Sequence, residues 1–149
     1  MAQAASAWLF NGWTVLTHPL LDQQMAALRL EVERLKRKDP KGYGAKGVTK
    51  RLIAITKLMT EVIPQDPTRA EYRLGDTLGG AYRHWFRVKF FQQYRLFFRF
   101  HLASRIIVMA WVNDEDTKRA YESPDDAYRT FRKMLGRGHP PDDWAELLL

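Results

Sequence analysis

Three consecutive stretches between Trp85 and Val112 constrain this chain more than any other feature. Over 85–91, Phe86, Val88 and Phe90 alternate with Trp85, Arg87, Lys89 and Phe91. After Gln92-Gln93, residues Tyr94, Leu96, Phe98 and Phe100 alternate with Arg95, Phe97, Arg99 and His101. Residues 106–112 are then apolar throughout. Successive side chains of a strand point to opposite faces, so a period of two marks β-structure. The short connections make sequential strands antiparallel neighbours, which predicts a three-stranded meander. The central and last of these strands are too apolar to be solvated on both faces.

Such a sheet needs cover, and the preceding residues supply it. Leu21, Met25, Leu28, Val32 and Leu35 recur at spacings of four and three, which places them on one face of a helix. Pro19 suits the first turn of that helix, where its missing N–H costs nothing, and Asp39-Pro40 stops it. Residues 41–47 form a glycine-containing turn. A second helix carries Val48, Leu52, Ile55, Met59 and Val62 on one face and ends at Pro64 and Pro67. The two make a helical hairpin. A short strand over Trp13, Val15 and Thr17 precedes it. Near the end, Ser123-Pro124-Asp125 opens a helix with Ala127, Tyr128, Phe131 and Leu135. The expected fold is α+β, with the helical hairpin packed on one face of a four-stranded, mainly antiparallel sheet, and a C-terminal helix. Residues 1–10 are expected to be a flexible tail, and 11–149 a single domain.

The chain has no cysteine, which excludes a disulfide framework and a thiol nucleophile and fits a reducing cytoplasm. No apolar run approaches the roughly 18–20 residues of a membrane span, and no secretion signal is visible. The net charge is +7. Residues 82–105 hold Arg83, Arg87, Lys89, Arg95, Arg99 and Arg105 and no acid, so nearly all of the excess lies there. A concentrated basic field favours a polyanion. In a regular hairpin Arg87, Lys89, Arg95 and Arg99 share one sheet face, while Phe86, Val88, Leu96 and Phe98 face the helices. Four such cations repel one another until an anion arrives, and arginine binds phosphate bidentately. Phe91 and Phe97 on the same face are candidates to stack on unpaired bases. The alternative is a solvated face whose charges protect a sheet edge.

Other patterns carry less. Gly42-Tyr43-Gly44-Ala45-Lys46-Gly47 matches G-x-G-x-x-G, but a helix precedes it where a dinucleotide site needs a strand. His18, His84, His101 and His139 form no metal-binding spacing, so no metal is expected. His84 adjoins the basic strand and is a candidate RNA contact, or else an exposed bystander. Asp114, Glu115 and Asp116 either cap a helix N-terminus or offer a carboxylate for proton transfer.

Residues 89–99 read Lys-Phe-Phe-Gln-Gln-Tyr-Arg-Leu-Phe-Phe-Arg after Trp85-Phe86-Arg87-Val88. This resembles the central strands of the RelE superfamily of toxins. Asn11-Gly12-Trp13, His18-Pro19, Lys38-Asp39-Pro40, Trp111-Val112-Asn113-Asp114-Glu115 and 137–144, Arg-Gly-His-Pro-Pro-Asp-Asp-Trp, resemble the YhaV subfamily. The likeness runs from about Asn11 to Trp144. It implies an mRNA-cleaving toxin, acting free or on the ribosome, with a PrlF-type antitoxin and neither metal nor cofactor. The RNA 2′-OH attacks its neighbouring phosphate, so the protein must remove a proton, stabilise a charged phosphorane and protonate the leaving oxygen. By position, Arg87 and Lys89 match the family's basic pair, and Arg95 matches its Tyr-Arg-Leu arginine. Arg95 is then the main phosphate clamp, Lys89 orients the 2′-OH or serves as its base, and Arg87 stabilises charge. Tyr121 falls near the family's late tyrosine, which stacks or transfers a proton; a core contact is the alternative. Arg83, His84, Arg99, Lys118 and Arg119 are expected RNA or phosphate contacts. Many members carry Arg or His after the last strand, where this chain has Asn113-Asp114-Glu115. The acid's task therefore falls to Lys118, Arg119 or Tyr121, or to Asp114 or Glu115. A non-catalytic RNA-binding module, or a domain that binds an acidic partner, is the alternative function.

Overall fold

In the computed structural model the described residues are 7–113 and 125–149. The expected meander is present as β3 (Phe86–Phe90), β4 (Tyr94–His101) and β5 (Ile106–Val112), paired antiparallel in sequence order. Between β4 and β5 the register shifts. Phe97 faces Trp111 and Phe98 faces Met109, which leaves Ala110 as an extra residue on β5. Such a bulge interrupts the alternation of faces. Ala110 and Trp111 therefore both belong to one core, while Met109 and Val112 belong to the other.

The strand expected near Trp13 is β2 (Trp13–Thr17), which lies parallel to β5 with Val15 beside Ile107. Ahead of it stands β1 (Ala7–Phe10), antiparallel to β2 and joined to it by Asn11-Gly12. Both linking residues take positive φ, 51° and 81°. That is the backbone of a two-residue hairpin turn whose twist matches the strands, and Asn-Gly is its favoured sequence. The sheet therefore has five strands in the order β1-β2-β5-β4-β3, where four were expected. The expected tail over 1–10 is strand from Ala7 onward.

The hairpin consists of α1 (Pro19–Lys38) and α2 (Gly47–Lys57). A π-turn at Leu58–Val62 continues α2 into the short α3 (Ile63–Gln65). Pro64 has no N–H to continue the ladder, and at this point the Ile63 N–H bonds the Leu58 carbonyl, five residues back. The hairpin and sheet enclose Leu21, Met25, Ile55, Met59, Val88, Leu96, Phe98, Ile107 and Met109. The expectation that Phe86, Val88, Leu96 and Phe98 face these helices holds.

The sequence offered no assigned cover for the opposite, basic face of the sheet. In the structure α4 (Asp125–Gly136) and the short α5 (Trp144–Leu147) cover much of it. Phe131 of α4 stacks on Phe97 with ring centroids 4.2 Å apart and meets Trp85 edge-on at 5.0 Å. Phe97 is thus a core residue rather than a platform for bases. No helix among the described residues is long and apolar enough to cross a membrane.

Phe131 is fully buried at the centre of this second core. Its replacement by Ala removes the stack and leaves a cavity, with an expected loss of about 3–5 kcal/mol in chemical denaturation. His18 caps α1, its Nδ1 accepting from the Leu20 N–H at 3.1 Å. Burial first, then the nearby His139, hold this imidazole below its ordinary 6.5, against the opposing pull of Asp22. The folded state thus binds fewer protons than the unfolded one once the pH drops below 6.5. The cap's contribution is complete above that pH and declines on acidification. His18→Asn keeps a capping side chain and removes the titration. Between about pH 7.5 and 5.5 its urea midpoint is expected to fall less than that of the unsubstituted protein; parallel curves would contradict this account.

Candidate active site

The β3–β4 pairing brings the three basic residues of greatest interest together. Lys89 lies directly opposite Arg95, and Arg87 opposite Phe97, all on the face that α4 partly covers. Lys89 stands exposed near the turn end of the β3–β4 pair, Arg87 is half-buried, and Arg95 is 6 % exposed. The face reasoning from alternation is therefore correct for these three.

Tyr128 of α4 completes the cluster. Its hydroxyl oxygen accepts from Arg87 Nε at 3.0 Å and from Arg95 Nε at 2.9 Å. Both guanidinium carbons lie 5.9 Å from the centre of its ring. Arg95 Nη1 also donates to the carbonyls of Gln92 (2.8 Å) and Tyr94 (2.9 Å), and Arg87 Nη1 to those of Glu71 (3.1 Å) and Arg73 (2.8 Å). Among the described residues neither arginine pairs with a carboxylate. Among these residues, neutral oxygens alone hold the two cations. A tyrosine hydroxyl has two acceptor positions and one donor. With both acceptor positions engaged, the O–H is what Tyr128 has left to offer a ligand.

The backbone around the cluster is fixed just as firmly. Asn113, at the end of β5, accepts from the Arg95 N–H at 2.6 Å and donates to the Gln93 carbonyl at 2.9 Å. The β3–β4 turn places Phe91 and Gln92 at φ of 47° and 64°. Left-handed backbone is unfavourable for side chains of this size, and such strain clusters at working sites. It leaves Phe91 52 % exposed beside Lys89, while the Gln92 carbonyl receives Arg95.

The remaining candidates lie elsewhere. Arg99 is drawn into the C-terminal strap: its Cζ lies 5.6 Å from the Trp85 ring centre and 5.1 Å from that of Trp144, and its Nη1 donates to the Asp142 carbonyl. Burial disfavours its charge, and Asp142 and Asp143 offset that. His84 Nε2 sits 2.6 Å from Asp142 Oδ1, which also accepts from the Trp85 indole at 2.8 Å. Arg83 is exposed and paired with Asp76 at 2.6 Å. Arg99 and His84 therefore fasten the C-terminal strap across the sheet instead of joining Arg87, Lys89 and Arg95. Asp114, Glu115, Lys118, Arg119 and Tyr121 lie outside the described residues. Among those described, no group of three or more His, Cys, Asp or Glu side chains could hold a metal ion.

Tyr128 was read from the sequence as one of four apolar-face residues of a helix, and its hydroxyl role was missed. The available signal was chemical: a buried tyrosine needs a partner for its O–H, and on this sheet face the partners are arginines.

Residues 15–149 match the YhaV toxin family, described as a toxin with endonuclease activity, of a toxin–antitoxin system. The chain is 45 % identical over 139 residues to "Ribonuclease toxin YhaV" of Escherichia coli strain K12. The alignment covers 92 % of this chain and 90 % of that one. The same identity and coverage relate it to "Toxin YhaV" of Escherichia coli O6:H1 strain CFT073 and of Escherichia coli O157:H7. No solved structure matches the chain. With almost the whole length matched, and with the family being the one its motifs resemble, the chain belongs to the YhaV family of endonuclease toxins from toxin–antitoxin systems.

Proposed function

We propose that this toxin is an endoribonuclease that cleaves mRNA, with an RNA 2′-OH as the nucleophile and no metal ion. One observation carries the reading: Arg87 and Arg95 converge on the Tyr128 hydroxyl, opposite Lys89, with no carboxylate paired to them among the described residues. Charge left unbalanced in this way favours a substrate that brings negative charge and develops more of it as it reacts.

In this mechanism the 2′-oxygen forms a bond to the adjacent phosphorus as its proton leaves. The bond from phosphorus to the 5′-oxygen breaks, which gives a 2′,3′-cyclic phosphate and a free 5′-OH. Lys89, the exposed member, meets the substrate and orients the 2′-OH or takes its proton. Arg87 stabilises the phosphorane, and Arg95 acts from behind. It fixes Tyr128 and the Gln92 turn and adds its charge where water is excluded, so that the charge is screened least. A phosphate clamp at Arg95 itself calls for the nucleic acid to reach a buried guanidinium. Protonation of the leaving oxygen falls to Tyr121, Lys118, Arg119, Asp114 or Glu115, or to the Tyr128 hydroxyl. Arg83 and the exposed Phe91 stand where they can contact flanking nucleotides; His84 and Arg99 act through the strap. The partner is an antitoxin of the PrlF type, whose acidic residues would complement the same cations. Ribosome-bound mRNA is a further candidate substrate, reached through the exposed Lys89.

The test is incubation of RNA with the purified toxin in the presence of EDTA. Cleavage that leaves cyclic-phosphate ends is expected. Binding without cleavage would instead mark a non-catalytic RNA-binding module, and metal-dependent cleavage would sink the proposed chemistry. Lys89→Ala and Arg95→Ala are expected to lower the rate by about 10²–10³ and to relieve growth inhibition on expression. Tyr128→Phe keeps the ring packed against Phe97 and deletes only the bridging oxygen. A hydrogen bond to a charged group is worth about 1.5–3 kcal/mol, so the rate is expected to drop at least about tenfold with the fold intact by circular dichroism.

A further inference from the structure

Next to Tyr128, an open pocket of about 230 Å³ is lined by Thr77, Tyr128, Arg129 and Arg132. Arg132 lies four residues beyond Tyr128 on α4, and so on the same face of the helix. Its guanidinium carbon lies beside Gly79, 4.0 Å from the position a Cβ would take there. Gly79 has φ of 96°, a conformation that side chains rarely adopt, so the loop can approach α4 closely only with glycine there. Arg132 is exposed and has no ion-pair partner among the described residues. The nearest acid of the loop, Asp76, is already held by Arg83.

Resting on the ribonuclease reading above, we infer that this pocket is a second phosphate site, which grips a backbone phosphate of the RNA next to the one that reacts. Three features carry the inference. Tyr128 is common to both: its hydroxyl binds Arg87 and Arg95, and the same residue lines the pocket. A polyanion held at one therefore passes the other. The lining supplies an arginine fork and the Thr77 hydroxyl, groups that contact phosphate oxygens without reading a base. The volume lies below the roughly 300–1,000 Å³ of sites that enclose whole small ligands, and suits one unit of a longer chain. Such a site raises affinity for any sequence and sets the register of the strand over Lys89.

The experiment uses the full chain and a single-stranded RNA oligonucleotide of mixed sequence with 2′-fluoro substitution throughout, which cannot be cleaved by 2′-OH attack. Binding is followed by fluorescence anisotropy over a range of salt concentrations. Arg132→Ala is expected to weaken binding severalfold at low salt and to reduce the slope of log K against log salt by about 0.7, the value for one single-strand phosphate contact. Lys41→Ala, which removes the same charge from the helix–helix turn, is expected to leave the slope unchanged. Arg132→Lys is expected to fall between the two, because it keeps charge and loses the fork. An unchanged slope for Arg132→Ala, or an equal loss in Lys41→Ala, overturns the second site. So does an Arg132→Ala protein that binds the oligonucleotide normally but loses binding to polyglutamate, which would assign the pocket to an acidic protein. Cleavage of ordinary RNA by the unsubstituted toxin, measured alongside, separates these outcomes from failure of the ribonuclease reading itself.

Discussion

One phenolic oxygen organises the basic face of this toxin's sheet. Arg87 and Arg95 arrive from adjacent strands and Tyr128 from a helix some thirty residues later, and all three meet at that atom. A buried charge without a counterion is expensive. Here carbonyls from the β3–β4 turn and from the residues around Glu71 and Arg73 supply the missing dipoles. The arrangement keeps the cations fixed, and among the described residues no carboxylate neutralises them. A carboxylate in place of Tyr128 would hold the arginines more tightly and cancel their field.

The rest of the fold secures that geometry from two sides. The helical hairpin packs on the face away from the cluster, and the bulge at Ala110 turns Trp111 toward α4 while Met109 still faces the hairpin. The stack of Phe97, Phe131 and Trp111 then sets how close α4 lies to the sheet, and so where the Tyr128 hydroxyl falls. Asp142 adds a fastening at the other end, where His84, Trp85 and Arg99 bind it or its backbone. His84 and Arg99, expected from the sequence as RNA contacts, here also fasten the segment around Asp142 that follows the tyrosine's helix.

Much of this was legible in the amino-acid order. The period-two runs located β3, β4 and β5, and alternation placed Arg87, Lys89 and Arg95 on a common face, because both signals are local. The spacing of apolar residues located α1 and α2 for the same reason. The fifth strand was missed although Asn11-Gly12 is a strong hairpin signal, since the segment before it lacks the length to show a period. The covering of the basic face was missed because alternation says which side a residue points to, and nothing about what arrives there. Arg99 illustrates the limit: it shares its strand with Arg95, yet two tryptophans and an aspartate carbonyl claim it. Tyr128 reads as an ordinary core position, and its role exists only through contacts with residues distant in the chain.

The parallel pairing of β2 with β5 imposes a timetable on the molecule. Thr14 and Val15 find their partners only when Ile106 and Ile107 have been synthesised, and the sheet is continuous only after that. At about 5–20 residues per second, the N-terminal strands spend several seconds of translation without their neighbour. Contacts of such long range also slow folding itself. The cluster around the Tyr128 hydroxyl is completed later still, because Arg87 and Arg95 must wait for α4 to be synthesised and to dock on the sheet. Most of the chain must therefore be made before these cations are held in place.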